Sequence, residues 1–137
     1  MNNCLFCNIA AHKIPAEIVF ENNAAVAFLD IHPRAPGHAM VIPKSHAETV
    51  LDLDEEFIAP LFKAVKQTTH MIERALKPDA FTIGINHGKH AGQAVEHLHV
   101  HIMPRFKGDK GGSIHTVVDN PPKDAITEIA AKIRAIT

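Results

Sequence analysis

The 137-residue chain contains no tryptophan or tyrosine and only two cysteines, Cys4 and Cys7. Two cysteines are too few to staple a small secreted scaffold, and their spacing suits a metal or redox site better. No apolar run approaches the roughly 20 residues that a membrane-spanning helix needs. The formal net charge is only −1, so no overall basic field indicates binding to nucleic acid or to a membrane.

The composition and the N-terminal segment indicate one ordinary globular domain. Hydrophobic residues make up 46% of the chain and charged residues 21%, which is typical of soluble globular proteins. The segment MNNCLFCNIAAHK lacks the basic region and following apolar run of a signal peptide. We therefore expect a single domain over residues 1–137 in the cytoplasm, where paired thiols stay reduced.

Hydrophobic patterning predicts an α+β fold. Apolar runs bounded by turn residues predict five strands, at 18–22, 25–30, 38–46, 81–86 and 97–105. Helical spacing predicts a short helix at 5–12, a long helix at 54–76 and a closing C-terminal helix carrying Ile126, Ile129, Ile133 and Ile136. Because the strands come in runs and do not alternate with helices, we expect a five-stranded antiparallel sheet.

Two details of this pattern need a structure to resolve. Asp54 could cap the long helix, but Pro60 falls inside it, so the helix either kinks there or begins near Ala59. The polar, glycine-rich residues 107–113 predict a mobile loop.

The stretch HLHVHIMPR, residues 97–105, places His97, His99 and His101 at every second position. In a strand these three side chains share one face, while the apolar residues between them face the core. The stretch could be a half-exposed strand that happens to be rich in histidine. It could bind a catalytic metal, since neutral imidazole is a good zinc ligand. It could also pair a histidine nucleophile with the groups that hold its ring in place.

The residues on either side of this stretch favour an anionic substrate and therefore the nucleophile. Gly88 and the pair Gly92-Gln93 precede the histidines, and small residues let backbone N–H groups approach an anion closely. Arg105 follows Pro104 and could help hold a phosphate. A metal site of the catalytic kind would usually also have a nearby carboxylate ligand, which the stretch does not supply.

The stretch HLHVHIM resembles the His-x-His-x-His signature of the histidine triad family of nucleotide hydrolases and transferases. Other segments resemble that family in the same order along the chain. They are CLFCNIAAHKIPAEIVFEN, AFLDIHPRAPGHAMVIPKSH (27–46), INHG (85–88) and AGQAVEHLHVHIMPR (91–105). A lone HxHxH would not be specific, whereas this combination is.

The resemblance implies a covalent mechanism. His99 would attack the α-phosphorus of a nucleotide, and water would then hydrolyse the nucleotidyl-histidine intermediate. His101 would donate to a phosphate oxygen or to the leaving group, and His38 would complete the polar histidine set. The first expected substrate is a purine nucleoside phosphoramidate, and the second a dinucleoside polyphosphate. The rivals are a non-catalytic nucleotide sensor and a zinc hydrolase with water at the triad.

The resemblance also implies a nucleoside site. Asp30 would accept hydrogen bonds from ribose hydroxyls, although a turn residue is the alternative. Phe28 and Ile31 would border the base, although both could equally be core residues. Asn86 would contact phosphate or ribose.

The phosphate would meet the loop before the histidines. Gly92 and Gln93 would bring loop amides or a side-chain donor to it. Ala94 stands where the family commonly has serine or threonine, so a hydroxyl is missing while the backbone N–H remains.

Finally, the resemblance implies a zinc ion and a homodimer. Cys4, Cys7, His46 and His97 would bind one structural Zn²⁺, because two thiolates and two imidazoles complete a tetrahedral shell. The alternative is a reduced dithiol without metal. The partners expected are the nucleotide and a second copy of the chain, with neither nucleic acid nor membrane.

Overall fold

The structure is a computed structural model that describes residues 3–136. It confirms the α+β prediction, with three helices and five strands in the described range: α1 (Leu5–Ala10), β1 (Ile18–Glu21), β2 (Ala25–Leu29), β3 (Ala39–Pro43), α2 (Ile58–Leu76), β4 (Ala80–Gly84), β5 (Val100–Arg105) and α3 (Ile126–Arg134). Single 3₁₀ turns lie at Glu55–Phe57, Lys89–Ala91 and Ile114–Thr116. None of these helices has the length and apolarity needed to cross a membrane.

The sheet is antiparallel throughout, in the order β1-β2-β3-β5-β4. Its two faces are both covered near the centre. Residues such as Ala27, Val41 and Val100 pack in the core beneath α2, while Val26 and Ile42 pack with α1. This explains why β2 and β3 read as continuous apolar runs without the alternation of a half-exposed strand.

Pro60 lies in the first turn of the long helix and not in its interior. Helix α2 begins at Ile58, which places Pro60 in its first turn, where backbone N–H groups have no helical partner in any case. The prediction of a cap by Asp54 is wrong, because a 3₁₀ turn precedes α2 and the Asp54 side chain makes no capping hydrogen bond.

The strand that carries the histidines is shorter than predicted. It begins at Val100, which pairs with Val41 of β3. Continuing the ladder would bring Pro43 opposite the chain before Val100, but proline has no N–H to donate. The Pro43 carbonyl instead contacts the His97 ring nitrogen Nε2 at 2.8 Å. His97 and His99 therefore lie in the irregular segment before β5, and only His101 lies within the strand.

Arg105 ties together the loop after β5, which the sequence predicts to be mobile. The Arg105 guanidinium donates to Asp109 at 2.8 Å, to Thr82 Oγ1 at 3.0 Å and to the Gly112 carbonyl at 2.6 Å. It also holds the pKa of the Asp109 carboxyl well below its usual range. Because these bonds engage the guanidinium within its own loop, the geometry does not favour a role for Arg105 in holding phosphate.

The C-terminal helix forms where the isoleucine spacing predicts it, yet it does not close the core of its own chain. Ile126 is 80% exposed and Ile133 68% exposed, and the following Ile136 is 85% exposed. Neighbouring Val117 and Val118 are also exposed.

Candidate functional site

The triad histidines lie on the face of the sheet that α1 covers. His38 precedes β3, and His101 lies beside it on β5, where Met40 pairs with His101. His97 is fully buried, and His99 is 6% exposed. The rings of His99 and His101 lie with their centroids 5.0 Å apart, so two imidazoles face the same small region.

Backbone contacts fix the tautomer of His99. Its Nδ1 lies 2.7 Å from the His97 carbonyl oxygen. A carbonyl can only accept, so Nδ1 must carry the proton. The lone pair therefore resides on Nε2, which is the nitrogen that a nucleophilic imidazole must expose.

A second chain of contacts fixes His38 and His101. The Arg34 backbone N–H donates to His38 Nδ1 at 3.1 Å, so the proton of neutral His38 is on Nε2. That Nε2–H lies 2.9 Å from His101 Nδ1, which must accept it. His101 therefore carries its own proton on Nε2 and can donate a hydrogen bond from there.

Burial keeps these rings neutral. It lowers the pKa of His101 to about 4 and also lowers the pKa of His38, because a charged imidazolium is poorly solvated inside the protein. At neutral pH His101 thus presents an N–H donor beside the His99 ring.

Asp30 lies at the edge of the histidine cluster. One carboxylate oxygen accepts the His32 N–H at 2.8 Å, and the other lies 3.6 Å from His38 Nε2. Asp30, Arg34 and His38 line an open cavity of about 460 Å³. The Asp30 carboxylate thus stabilises a turn and also faces a space that could hold a ligand. Both roles considered from the sequence, a turn residue and a ribose contact, are compatible with this position.

The two residues expected to border a base differ in their surroundings. Phe28 is buried in the core next to Phe6, with ring centroids 5.4 Å apart. Ile31 is strongly exposed, at 82%. Of the two, only Ile31 is free to contact a ligand directly.

The loop before the histidines uses most of its own donors. Gln93 Oε1 accepts the Gly88 N–H at 2.8 Å, and Gln93 Nε2 donates to the Glu48 and Val95 carbonyls at 2.7 and 3.1 Å. The Gly92 and Gln93 backbone N–H groups also bond within the loop. The expectation that these two residues bring donors to the phosphate therefore does not fit this arrangement.

Ala94 remains as a donor in that loop. Among the residues the structure describes, none accepts its backbone N–H, and the residue is exposed. Gly92 has φ of +100°, and a Cβ built on it would lie 3.6 Å from Asn86 Nδ2. Asn86 is thus a neighbour of the turn that presents Ala94.

Cys4, Cys7, His46 and His97 converge, as the sequence predicts. The distance from Cys4 Sγ to His97 Nδ1 is 3.4 Å and that from Cys7 Sγ to His46 Nδ1 is 3.3 Å, while the two Nδ1 atoms are 3.2 Å apart. Tetrahedral zinc, with bonds of about 2.3 Å to sulfur and 2.0–2.1 Å to nitrogen, places two nitrogen ligands roughly 3.3–3.4 Å apart and a nitrogen and a sulfur ligand roughly 3.5–3.6 Å apart.

The chemistry of these donors also fits zinc. His97 directs Nε2–H at the Pro43 carbonyl, which leaves the Nδ1 lone pair facing the cluster, as in many metal sites. Burial and the neighbouring Cys4 raise the pKa of Cys7 to about 11. A cation bound among the thiols would stabilise the thiolate and so lower this pKa.

A second group, Asp30, His38 and His101, is close enough to hold a metal but has the wrong protonation. Ligation through His38 Nε2 would move its proton to Nδ1, where it would face the Arg34 N–H. Two donors would then oppose each other. The geometry thus disfavours the interpretation in which the triad itself binds a catalytic metal.

One contact residue was missed by sequence reasoning. Phe6 of α1 packs edge-on against His99, with centroids 5.1 Å apart at 87°, and against His97 at 6.0 Å. Its proximity to Cys4 and Cys7 was a possible signal. The sequence could not show which face of the sheet α1 covers.

Comparison with known proteins identifies relatives of this chain. The HIT domain family matches residues 11–108. The Bacillus subtilis protein named Protein hit is 38% identical over 133 residues, which is 96% of this chain and 92% of that one. The adenosine 5'-monophosphoramidase HNT1 of Saccharomyces cerevisiae is 37% identical over 111 residues, covering 81% and 67% of the two chains.

A solved structure shares the fold. The crystal structure of a HIT family member from Bacillus subtilis superposes with a TM-score of 0.85 at 37% identity, covering 98% of this chain and 97% of that one. Together with the family match over residues 11–108, this shows that the chain belongs to the HIT family of histidine triad proteins.

Proposed function

We propose that the protein hydrolyses a nucleoside phosphoramidate at its α-phosphorus through a nucleotidyl-His99 intermediate. The observation that carries this proposal is the 2.7 Å contact between His99 Nδ1 and the His97 carbonyl. It commits one ring nitrogen as a donor and leaves the other as a nucleophile. A module that only binds nucleotides has no need of this arrangement.

The reaction would proceed in two displacements. His99 Nε2 attacks phosphorus and the P–N bond to the leaving amine breaks. Water then attacks phosphorus and the bond to His99 breaks. This divides one difficult displacement into two easier ones, and two in-line steps retain configuration at phosphorus.

The other residues would position and stabilise the phosphate. The His101 Nε2–H donates to a phosphate oxygen or to the leaving group, and His38 holds the His101 ring through the 2.9 Å contact. The Ala94 N–H donates a further hydrogen bond to a phosphate oxygen, as backbone N–H groups do in other sites that stabilise oxyanions. Without the hydroxyl of a serine or threonine at this position, the stabilisation rests on the backbone.

The nucleoside would lie on the Asp30 side of the histidines. We assign Asp30 to the ribose hydroxyls and Ile31 to the base, with Phe28 supporting the site from the core. The cavity beside Asp30 and His38 supports this placement. A purine is the base that we expect.

We further propose that Cys4, Cys7, His46 and His97 hold one zinc ion with a structural role. Four protein ligands leave no open position for a water molecule. When bound, the ion would cross-link the N-terminal segment to His97, whose carbonyl orients His99. It would take no part in the chemical step.

We also propose that the protein is a homodimer. The exposed isoleucines of α3 lie on a nine-residue helix, and so short a helix is marginal without packing partners. Phe62 and Ile83 add a second apolar area between α2 and β4. A two-fold dimer is the commonest way to cover such surfaces.

A turnover panel on the pure protein tests the proposed activity. It compares an adenosine phosphoramidate, an acyl adenylate and a dinucleoside polyphosphate. We expect the phosphoramidate to have the highest kcat/KM. A preference for the dinucleoside polyphosphate would instead support the second substrate class, and binding without turnover of any of the three would support a sensor.

A further inference from the structure

The two cysteines form a pair of neighbouring thiols that solvent can reach. Cys4 precedes α1 and Cys7 lies in its first turn, and both side chains are only half-buried. Their sulfurs are among ligand atoms that all lie within 4.8 Å of one another. No other cysteine exists in the chain to compete for either sulfur.

Their backbone placement permits a disulfide with little movement. Residues three positions apart at the start of a helix have Cα atoms roughly 5–6 Å apart, within the range that disulfides occupy. The Cys7 N–H already points at Cys4 Sγ, at 3.4 Å.

We propose that Cys4 and Cys7 are an oxidation site at which a hydroperoxide forms a disulfide and releases the zinc ion. This inference rests on the structural zinc proposed above, and the catalytic assignment does not depend on it.

The chemistry balances with the hydroperoxide as the sole oxidant. One cysteine thiolate attacks a peroxide oxygen, the O–O bond breaks, and a sulfenic acid forms with loss of hydroxide or alkoxide. The second thiolate attacks the sulfenyl sulfur, which forms the S–S bond and releases hydroxide. The two sulfurs together lose two electrons, and the peroxide gains them.

Zinc leaves because the disulfide removes half of its ligands. His46 and His97 remain, but two imidazoles without thiolates no longer complete a tetrahedral shell. A dithiol reductant would reverse the step by thiol–disulfide exchange, after which zinc could bind again.

The loss of zinc would be transmitted to the nucleophile by a short route. His97 contributes Nδ1 to the zinc cluster, and its own carbonyl accepts the His99 Nδ1–H. Without zinc the His97 ring keeps its contact with the Pro43 carbonyl but loses its bond to the metal, so the His97 carbonyl orients the His99 ring less firmly. Oxidation would thus lower turnover without touching His99 itself.

The experiment begins with zinc-loaded protein, whose metal content is measured before any oxidant is added. Hydrogen peroxide is then titrated in, zinc release is followed with a chromogenic chelator, and intact mass is recorded with thiol counts. We expect one zinc ion released for every two thiols lost, in a chain lighter by two hydrogens. Dithiothreitol followed by zinc should restore both zinc content and turnover.

Cys4→His is the matched control. It keeps an imidazole ligand at that position but leaves Cys7 without a partner thiol, so its zinc should stay bound at peroxide doses that empty the wild type. Cys7→His provides the reciprocal variant should the first bind zinc poorly.

Two results would overturn the inference. One is wild-type protein whose cysteines become sulfinic acids with no disulfide. The other is zinc retained at peroxide doses that consume free thiols in an equimolar reduced dithiol. A preparation without zinc before oxidation would instead refute the zinc proposal, and this inference with it, while the nucleophile assignment would stand on its own turnover data.

Discussion

Replacing Gly37 by alanine should destabilise the protein by an amount that can be divided into two parts. Gly37 has φ of +85°, and a Cβ there would lie 2.6 Å from Leu76 Cδ1 and 3.3 Å from Pro104 Cγ. The left-handed backbone costs a non-glycine residue about 1 kcal/mol, and crowding in a packed site adds about 1–3 kcal/mol. Leu76 is half-exposed and can move aside, so we expect a total near the lower end, about 2–3 kcal/mol.

Gly108→Ala separates the two contributions. Gly108 has φ of +79°, but no heavy atom lies within 4 Å of its built Cβ. Gly108→Ala should therefore lower the free energy of unfolding only by the cost of the left-handed backbone, about 1 kcal/mol. Urea unfolding of both variants at one protein concentration gives the two free energies, and their difference measures the crowding at Gly37.

The two variants should also differ in turnover. Gly37 precedes His38, whose carbonyl accepts the Asp30 N–H at 2.9 Å. Displacing Gly37 should therefore disturb the His38–His101 contact and lower kcat, whereas Gly108→Ala should leave kcat unchanged. Equal unfolding free energies for the two variants would show that the loop around Gly37 is not packed as described.

Four further predictions follow from the site. His99→Ala should lower kcat by about 10³-fold or more while the affinity for AMP is retained, because only the nucleophile is lost; a similar kcat would exclude the covalent route. Removing zinc with a chelator should lower the thermal unfolding midpoint, and kcat should fall only as the segment before β5 loosens; a loss of kcat without a loss of stability would contradict a structural role. The pKa of His101 is about 4 in the folded protein, against 6.5 for an unburied histidine, so the unfolded chain binds more protons between these values. Stability should thus fall by at most about 3 kcal/mol as pH drops from 6.5 to 4, and His101→Asn should flatten that dependence in urea titrations; an unchanged slope would mean that the ring is not buried. Light scattering at micromolar concentration should give twice the 15.0 kDa chain mass, and a monomer mass would refute the dimer.

The sequence predicts the fold well because strong local patterns decide it. Five apolar runs separated by turn residues correspond to the five strands, and the 3.6-residue spacing of 54–76 corresponds to α2. The boundaries differ where a long-range contact intervenes. Val100 begins β5 because Pro43, distant in sequence, cannot continue the ladder, and no pattern within HLHVHIMPR shows this.

The site could be predicted as a set of residues but not as a set of contacts. The resemblance to the family indicates that the four zinc-cluster residues meet, and the structure brings them together. The use of the Gln93 side chain to hold its own loop depends on the Glu48 carbonyl, which the sequence does not place there. Arg105 likewise bonds to Asp109, four residues later, at a position that the glycine-rich pattern suggests is mobile. Cytoplasmic location and base preference stay predictions.

The covalent assignment of His99 is tested most directly by rapid-quench mass spectrometry of the protein turning over an adenosine phosphoramidate. The account predicts a transient adduct of one nucleoside monophosphate per chain, located by peptide mapping on His99, formed and lost at rates that account for kcat. The same experiment on His99→Ala should give no adduct. Steady turnover with no adduct on the wild type, or an adduct on another residue, would contradict the mechanism.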